Sequence, residues 1–121
     1  MKMYIAVLDE FPDYMTPTLI AHAVLGHHAR QARDTFWKKE DSNSYTALYN
    51  VWFDQSFKKV VLRVNQKEFD KISNLPNVTL SHENNTLNSR LACAVIVVDK
   101  DIPNVLKYAK LWEPNKVGGF V

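Results

Sequence analysis

Two short stretches of the sequence carry side chains that could bind a charged ligand. The first is the turn between an apolar segment, residues 3–8, and an amphipathic segment that begins near Thr16. Where a strand of an α/β sheet passes into a helix, backbone N–H groups and the positive end of the helix dipole are exposed, and ligands often bind there. The candidate ligand-binding residues of this turn and helix start are Asp9, Glu10, Phe11, Tyr14, Thr16, Thr18 and His22.

The second stretch is the polar segment 81–90, which ends in Arg90. An arginine has the planar fork that suits bidentate contacts with phosphate. Side-chain amides donate and accept at once, which suits ribose hydroxyls and adenine edges; those of this segment are Asn84, Asn85 and Asn88. The rings that could stack on a base are Phe11, Tyr14 and Trp37. We expect residues 81–90 and 9–18 to converge into one site, although each residue could instead be an ordinary turn or surface residue.

Metal and nucleophilic chemistry are not predicted. Adjacent helical residues point about 100 degrees apart, so His27 and His28 do not both face one ion, and His22 is five positions from His27. The single cysteine, Cys93, lies in an apolar run and is predicted to be a buried structural thiol. No catalytic residue, metal or cofactor is therefore assigned. A general base and oxyanion stabilisation could still come from a second set of polar residues, namely His22, His82, Glu83 and Arg90.

Length and charge restrict the class of protein. A chain of 121 residues is expected to form one domain, here residues 1–112, followed by a tail at 113–121. The net charge of +2, with scattered basic residues, argues against a nucleic-acid binder. No apolar run is long enough to span a bilayer and the start does not resemble a signal peptide, so a cytoplasmic protein is expected. The high aromatic content favours a homo-oligomer.

Hydrophobic periodicity and capping signals predict the elements that position these residues. Strands are expected at 3–8, 59–64, 78–80 and 91–98. A helix should begin at Thr16, capped by that threonine, and bury a stripe that includes His27. Residues 34–44 and 81–90 are expected to be loops, and residues 45–53 a helix with an aromatic face. Asn65 and Glu68 form a capping-box pattern, and a last helix should run from 101 to 111. The predicted fold is an α/β single domain with a mixed four-stranded sheet and helices on both faces.

This order of elements, together with four short motifs, resembles the archaeal and eukaryotic type (type 2) of peptidyl-tRNA hydrolase. The motifs are Met15-Thr-Pro17, Ala21-His-Ala23, the strand 58–64 and the closing segment 107–111. That family carries a Gly-Lys pair at the entry of the first helix, where this chain has Thr18-Leu19. The family's Asp-Ala-Gly-Thr segment is replaced by residues 81–89. The resemblance therefore implies a relative that kept the pocket and lost the hydrolase chemistry.

The segments 4–26 and 84–90 also resemble the Thoeris anti-defence proteins of phages. As a family, these proteins sequester cyclic ADP-ribose signals made by bacterial immune enzymes and do not cleave them. The resemblance implies a non-enzymatic phage inhibitor that binds such a nucleotide in the host cytoplasm. Two alternatives stay open, namely a divergent peptidyl-tRNA hydrolase and a protein-interaction module that uses the aromatic helix. The interaction module would lose its main support if that aromatic face were buried within the monomer.

Overall fold

The computed structural model of the chain describes residues 1–37, 44–82 and 90–115. It begins with strand β1 (Lys2–Leu8), a 3-10 turn (Asp13–Met15) and helix α1 (Thr16–Trp37). Helix α2 (Ser44–Val51) continues into a π-helical turn (Trp52–Ser56) before strand β2 (Lys59–Val64). Helix α3 (Gln66–Ser73) and strands β3 (Thr79–His82) and β4 (Leu91–Val98) follow. The last elements are the short helix α4 (Asn104–Lys107) and strand β5 (Lys110–Leu111).

The sheet has five strands in the order β3-β4-β1-β2-β5, one more than the sequence predicts. β1 is parallel to β2 and antiparallel to β4, while β3 and β5 are antiparallel edge strands. The predicted helix over 101–111 is wrong in its second half, because α4 ends at Lys107 and Lys110–Leu111 pairs with β2. Trp112 N–H extends this pairing by donating to Val61 O at 2.9 Å. Lys110 and Leu111, which periodicity alone assigned to a helix, thus pair with the free edge of β2.

The core lies on both faces of the central strands. Six consecutive residues of β1, Met3 to Leu8, are buried, and so are six of β4. Alternate residues of a strand face opposite sides of the sheet, so both sides must be covered. Helix α1 packs on β1, β3 and β4, while α3 packs on β1, β2 and β4 and also against α4. The α/β class, the mixed sheet and the single domain are as predicted. None of the helices in the part of the chain that the structure describes has the length and apolarity to cross a bilayer.

Helix α1 begins at Thr16, as predicted, but Thr16 does not cap it. Thr16 has helical backbone angles (φ −55°, ψ −47°) and so is not an N-cap, which needs an extended backbone. The chain enters the helix one turn earlier, because Pro12 is extended and accepts the N–H of Met15 at 3.0 Å. The buried stripe of α1 is confirmed, with Leu19, Ala23 and His27 inside. The helix runs to Trp37 and not into a loop at 34, since no glycine or proline interrupts it there.

The start of α3 agrees with the prediction, whereas the end of β3 does not. The capping box of α3 is confirmed, because the Asn65 side chain accepts from Glu68 N–H and the Glu68 carboxylate accepts from Asn65 N–H. The predicted loop 81–90 begins too early, since Ser81 and His82 belong to β3 and pair with β4 across a bulge. Strands β3 and β4 therefore enclose residues 83–89, which lie outside the described residues.

Candidate functional site

One end of the sheet collects most of the predicted ligand-binding residues that the structure describes. β1 leads into Asp9 and Glu10 at this end, and β4 starts here after Arg90, because the two strands are antiparallel. The Arg90 guanidinium forms an ion pair with the Glu10 carboxylate, and its carbon lies 5.7 Å from the centre of the Phe11 ring. The described end of segment 81–90 and the turn after β1 thus converge at Arg90.

The residues of this turn differ in how accessible they are. Asp9, Glu10 and Arg90 are exposed, and the Asp9 N–H donates to Val64 O at 2.8 Å, which joins the ends of β1 and β2. Phe11 is only 4% exposed and belongs to the core, so little of its ring is open to a base. Tyr14 is 80% exposed and is the more accessible of the two rings. A base that stacks at this end would therefore meet Tyr14 before Phe11.

The predicted residues of α1 divide into one buried and two exposed. Thr16 is 3% exposed, so its side chain is packed inside the protein and is not accessible to a ligand from solvent. Thr18 and His22 are exposed. His22 lines a cleft of about 180 Å³ between α1 and the edge strand β3, together with Gly26, Ser81 and His82. Two imidazoles and a hydroxyl thus border one small polar cleft.

Several predicted residues fall outside the description. Asn84, Asn85 and Asn88 lie outside the described residues, as does Glu83, and the side chain of Trp37 is not described either. Among the described residues, no three His, Cys, Asp or Glu side chains come close enough together to hold a metal ion.

The start of the first helical turn is already occupied by a carboxylate that the sequence analysis did not single out. Asp13 accepts the Asn115 N–H at 2.6 Å and pairs with Arg63 at 3.0 Å. The pKa of Asp13 is lowered from its usual value, first by the hydrogen bond from the Asn115 N–H and then by Arg63. Arg63 also donates to Glu113 O at 2.6 Å and lies over the Trp112 ring. An anionic ligand at this helix start would approach the Asp13 carboxylate. Arg90 therefore offers a phosphate a more favourable contact.

His27 is buried, and both of its ring nitrogens are hydrogen-bonded within the protein. Val97 N–H donates to Tyr45 Oη at 2.8 Å, His27 Nε2 lies 2.7 Å from Tyr45 Oη, and His27 Nδ1 lies 2.5 Å from Thr79 Oγ1, so each ring nitrogen has a hydrogen-bond partner. Burial, with smaller effects of the nearby charges of Arg30 and His28, lowers the pKa of His27 to about 4. The imidazole is therefore neutral near pH 7 and joins α1, α2, β3 and β4. Cys93 is buried, as predicted, and burial raises the pKa of its thiol to about 12, which disfavours the reactive thiolate.

A separate cavity lies at the opposite end of the sheet. Its volume is about 490 Å³, and it is bordered by Tyr45, Leu75, Asn77, Asp99 and Asp101 among others. None of the predicted ligand-binding residues lines it. Among the described residues, the site around Arg90 is an exposed surface at the end of the strands, with Asp9, Glu10 and Arg90 all accessible to solvent.

The sequence was compared with models of protein families and with curated proteins. No family model matches the chain, and no curated protein matches it significantly. The functional argument therefore rests on the residues at the end of the sheet.

Proposed function

We propose that this protein binds and sequesters a nucleotide of the cyclic ADP-ribose type at the end of the sheet around Arg90, without cleaving it. In this proposal the protein is a phage inhibitor that removes the signal of a bacterial immune enzyme from the host cytoplasm. The observation that carries the proposal is the contact of Arg90 with Glu10 and Phe11, which joins the two segments that the sequence nominates.

Arg90 supplies the phosphate contact in this proposal. Its guanidinium is about half exposed, so a ligand can reach it from solvent. The Phe11 ring beside it restricts the side chain to one region of the surface, which reduces the entropy lost on binding. A pyrophosphate presents pairs of oxygens that match the two parallel N–H groups of a guanidinium.

Glu10 acts as the partner of Arg90 while the site is empty. Ion pairs this exposed contribute little free energy, about 0 to 1 kcal/mol, so a doubly charged pyrophosphate can displace the carboxylate at small cost. Once displaced, Glu10 can accept hydrogen bonds from ribose hydroxyls, and Asp9 beside it offers the same chemistry. The exposed ring of Tyr14 is available to the adenine face.

Binding without turnover is favoured by the placement of the buried histidine. His27 is uncharged near neutral pH, but both ring nitrogens are hydrogen-bonded inside the molecule, so it does not reach a ligand at Arg90. General-base catalysis needs a titratable group within hydrogen-bond reach of the attacking water. The exposed carboxylates beside Arg90 serve better as acceptors for ribose hydroxyls in this proposal.

The test is calorimetric titration with cyclic ADP-ribose isomers, with linear ADP-ribose as the comparison ligand. The complex is then heated and the released molecule identified by mass. The proposal predicts tight binding and release of the intact ligand. Arg90→Gln should weaken binding about 10- to 100-fold, because a hydrogen-bonded charged contact contributes about 1.5 to 3 kcal/mol.

Two further variants sharpen this test. Glu10→Gln should leave binding intact or tighten it about 2- to 5-fold, because the glutamine removes the competing negative charge while its amide oxygen can still accept from a ribose hydroxyl. Arg33→Gln removes an exposed arginine near the far end of α1 and should change nothing. If Arg90→Gln and Arg33→Gln bind alike, Arg90 is not the phosphate contact. If the isomers do not bind at all, the sequestration proposal is wrong.

The cleft that His22 and His82 line favours one alternative, a divergent peptidyl-tRNA hydrolase. Two exposed imidazoles in a cleft of about 180 Å³ offer a group that could take a proton from water. This alternative predicts hydrolysis of a peptidyl-tRNA and loss of that activity in His22→Gln. The sequestration proposal predicts no hydrolysis and little effect of His22→Gln on the release of intact ligand.

A further inference from the structure

The cavity at the opposite end of the sheet from Arg90 has the size of a small-molecule pocket. Its volume of about 490 Å³ lies within the range of about 300 to 1,000 Å³ that is typical of ligand pockets in proteins. It lies where β4 ends, between the residues that follow this strand and the first turns of α2. Ligand pockets are mostly apolar, and a few polar groups fix the orientation of the ligand. The described residues around this cavity show the same division.

The inner wall of the cavity is apolar. Tyr45, Ile96 and Val97 line it and are buried. The Tyr45 hydroxyl accepts the Val97 N–H at 2.8 Å and lies 2.7 Å from His27 Nε2, so Tyr45 offers a ligand its ring and not its hydroxyl. Further apolar lining comes from Leu48, Leu75, Pro76, Val98 and Pro103. An apolar group that enters the cavity leaves water, which favours its binding.

The mouth of the cavity carries more negative than positive charge. Asp99, Lys100 and Asp101 directly follow β4, line the cavity and are exposed. Asp99 lies 3.9 Å from the amino group of Met1, whereas Asp101 and Lys100 form no ion pair within residues 1–37, 44–82 and 90–115. The mouth thus has two carboxylates and one lysine ammonium, and the Asp101 carboxylate is accessible to a cation from solvent.

We propose that this cavity binds an organic cation, namely a primary ammonium group on an apolar body. The ammonium contacts the Asp101 carboxylate at the mouth, and the body lies against Tyr45 and Ile96. An anion of the same shape would approach two carboxylates and is disfavoured. A cation without an apolar body would gain only an exposed ion pair, which is weak. The inference goes beyond nucleotide binding at Arg90, because none of the residues proposed for the nucleotide lines this cavity.

The test compares tryptamine, which carries an ammonium on an indole ring, with indolepropionate, which carries a carboxylate on the same ring, and with methylammonium, which has no ring. The backbone amide signals of the full chain are followed by heteronuclear NMR as each probe is added. Tryptamine should shift the amides of the cavity lining, among them Asn77, Val98 and Asp101, until they saturate. Its dissociation constant should be about 10-fold or more below those of the other two probes. The absence of saturable shifts with tryptamine overturns the proposal, and so does an equal affinity for tryptamine and indolepropionate.

Asp101→Asn removes the proposed contact while the backbone of the mouth is kept. Asp101 has a φ of 54°, a left-handed conformation that asparagine also adopts readily. This variant should bind tryptamine about 3- to 5-fold more weakly, because the lost ion pair is exposed. The matched control is Asp54→Asn, which removes the charge of an exposed aspartate outside the cavity lining and should bind tryptamine like the wild type. Equal affinities of Asp101→Asn and Asp54→Asn would overturn the proposal.

Lys100→Gln should act in the opposite direction and tighten tryptamine binding about 2-fold, because it removes a like charge from the mouth. A loss of structure does not tighten binding, so this variant separates the effect of charge from that of misfolding. Weaker binding by Lys100→Gln would contradict the proposed orientation, in which the ammonium lies at the mouth. Arg90→Gln should leave tryptamine binding unchanged, so a failure of nucleotide binding at Arg90 is distinguishable from a failure of this proposal.

Discussion

Acidification should destabilise this protein through His27, and the size of the effect follows from its surroundings. The imidazole is completely buried between α1, α2 and β3, with Thr79 and Tyr45 on its nitrogens and Arg30 and His28 close by. Burial is the largest cause of its low pKa, followed by Arg30 and then His28. Protonation would make both ring nitrogens donors, so the ring could no longer accept a hydrogen bond from either hydroxyl.

The sign follows from the two pKa values. In the unfolded chain the pKa is near 6.5, while in the folded protein it is about 4. Between these values the unfolded state binds more protons, so stability is fully present above about pH 6.5 and is lost as the pH falls towards 4. A pKa difference of one corresponds to about 1.4 kcal/mol, so the free energy of unfolding should fall by about 2 kcal/mol at pH 5 and about 3 kcal/mol at pH 4.

The assay is urea unfolding of the wild type and of His27→Gln at several values between about pH 7 and about pH 4. The glutamine does not titrate, so the difference between the two proteins isolates His27 from all other groups. His27→Gln should be less stable at neutral pH, because an amide does not reproduce both hydrogen bonds, and its deficit should shrink by about 3 kcal/mol at the acidic end. Two curves that stay parallel across this range would refute the reasoning that His27 is buried in its neutral form.

Three further outcomes follow from particular contacts. Phe57→Gly should be about 1 kcal/mol more stable than Phe57→Ala in urea unfolding, because only glycine accepts a positive φ without strain; equal stabilities would argue against strain there. Asn65→Ala should lower the free energy of unfolding by about 1 kcal/mol by removing the cap of α3, and an unchanged midpoint would contradict that. Asp13→Ala should speed hydrogen exchange at the Asn115 amide, because it removes the acceptor of that N–H. In the wild type the protection of this amide should be lost as the pH falls below about 3.8 and through the lowered pKa of Asp13, because the protonated carboxyl holds the N–H less strongly.

Much of the fold could be predicted from local patterns. The apolar runs of β1, β2 and β4 and the capping box of α3 depend on neighbouring residues alone, and the structure contains all of them. The fifth strand could not be predicted, because Lys110 and Leu111 are exposed and become a strand only by pairing with Leu62 and Arg63. The capping role given to Thr16 was wrong for a related reason, because the 3-10 turn before α1 contains Asp13, which is held by Arg63 and Asn115 from distant parts of the chain.

The site shows the same division between local and distant causes. Arg90 and the turn at Glu10 are 80 residues apart, and their convergence could be expected because an antiparallel β4 must start where β1 ends. Thr16 was nominated for its residue type, but its burial depends on packing that the sequence does not display. Asp13 escaped notice because one acidic residue in a turn carries no signal until its partners from the end of the chain are known.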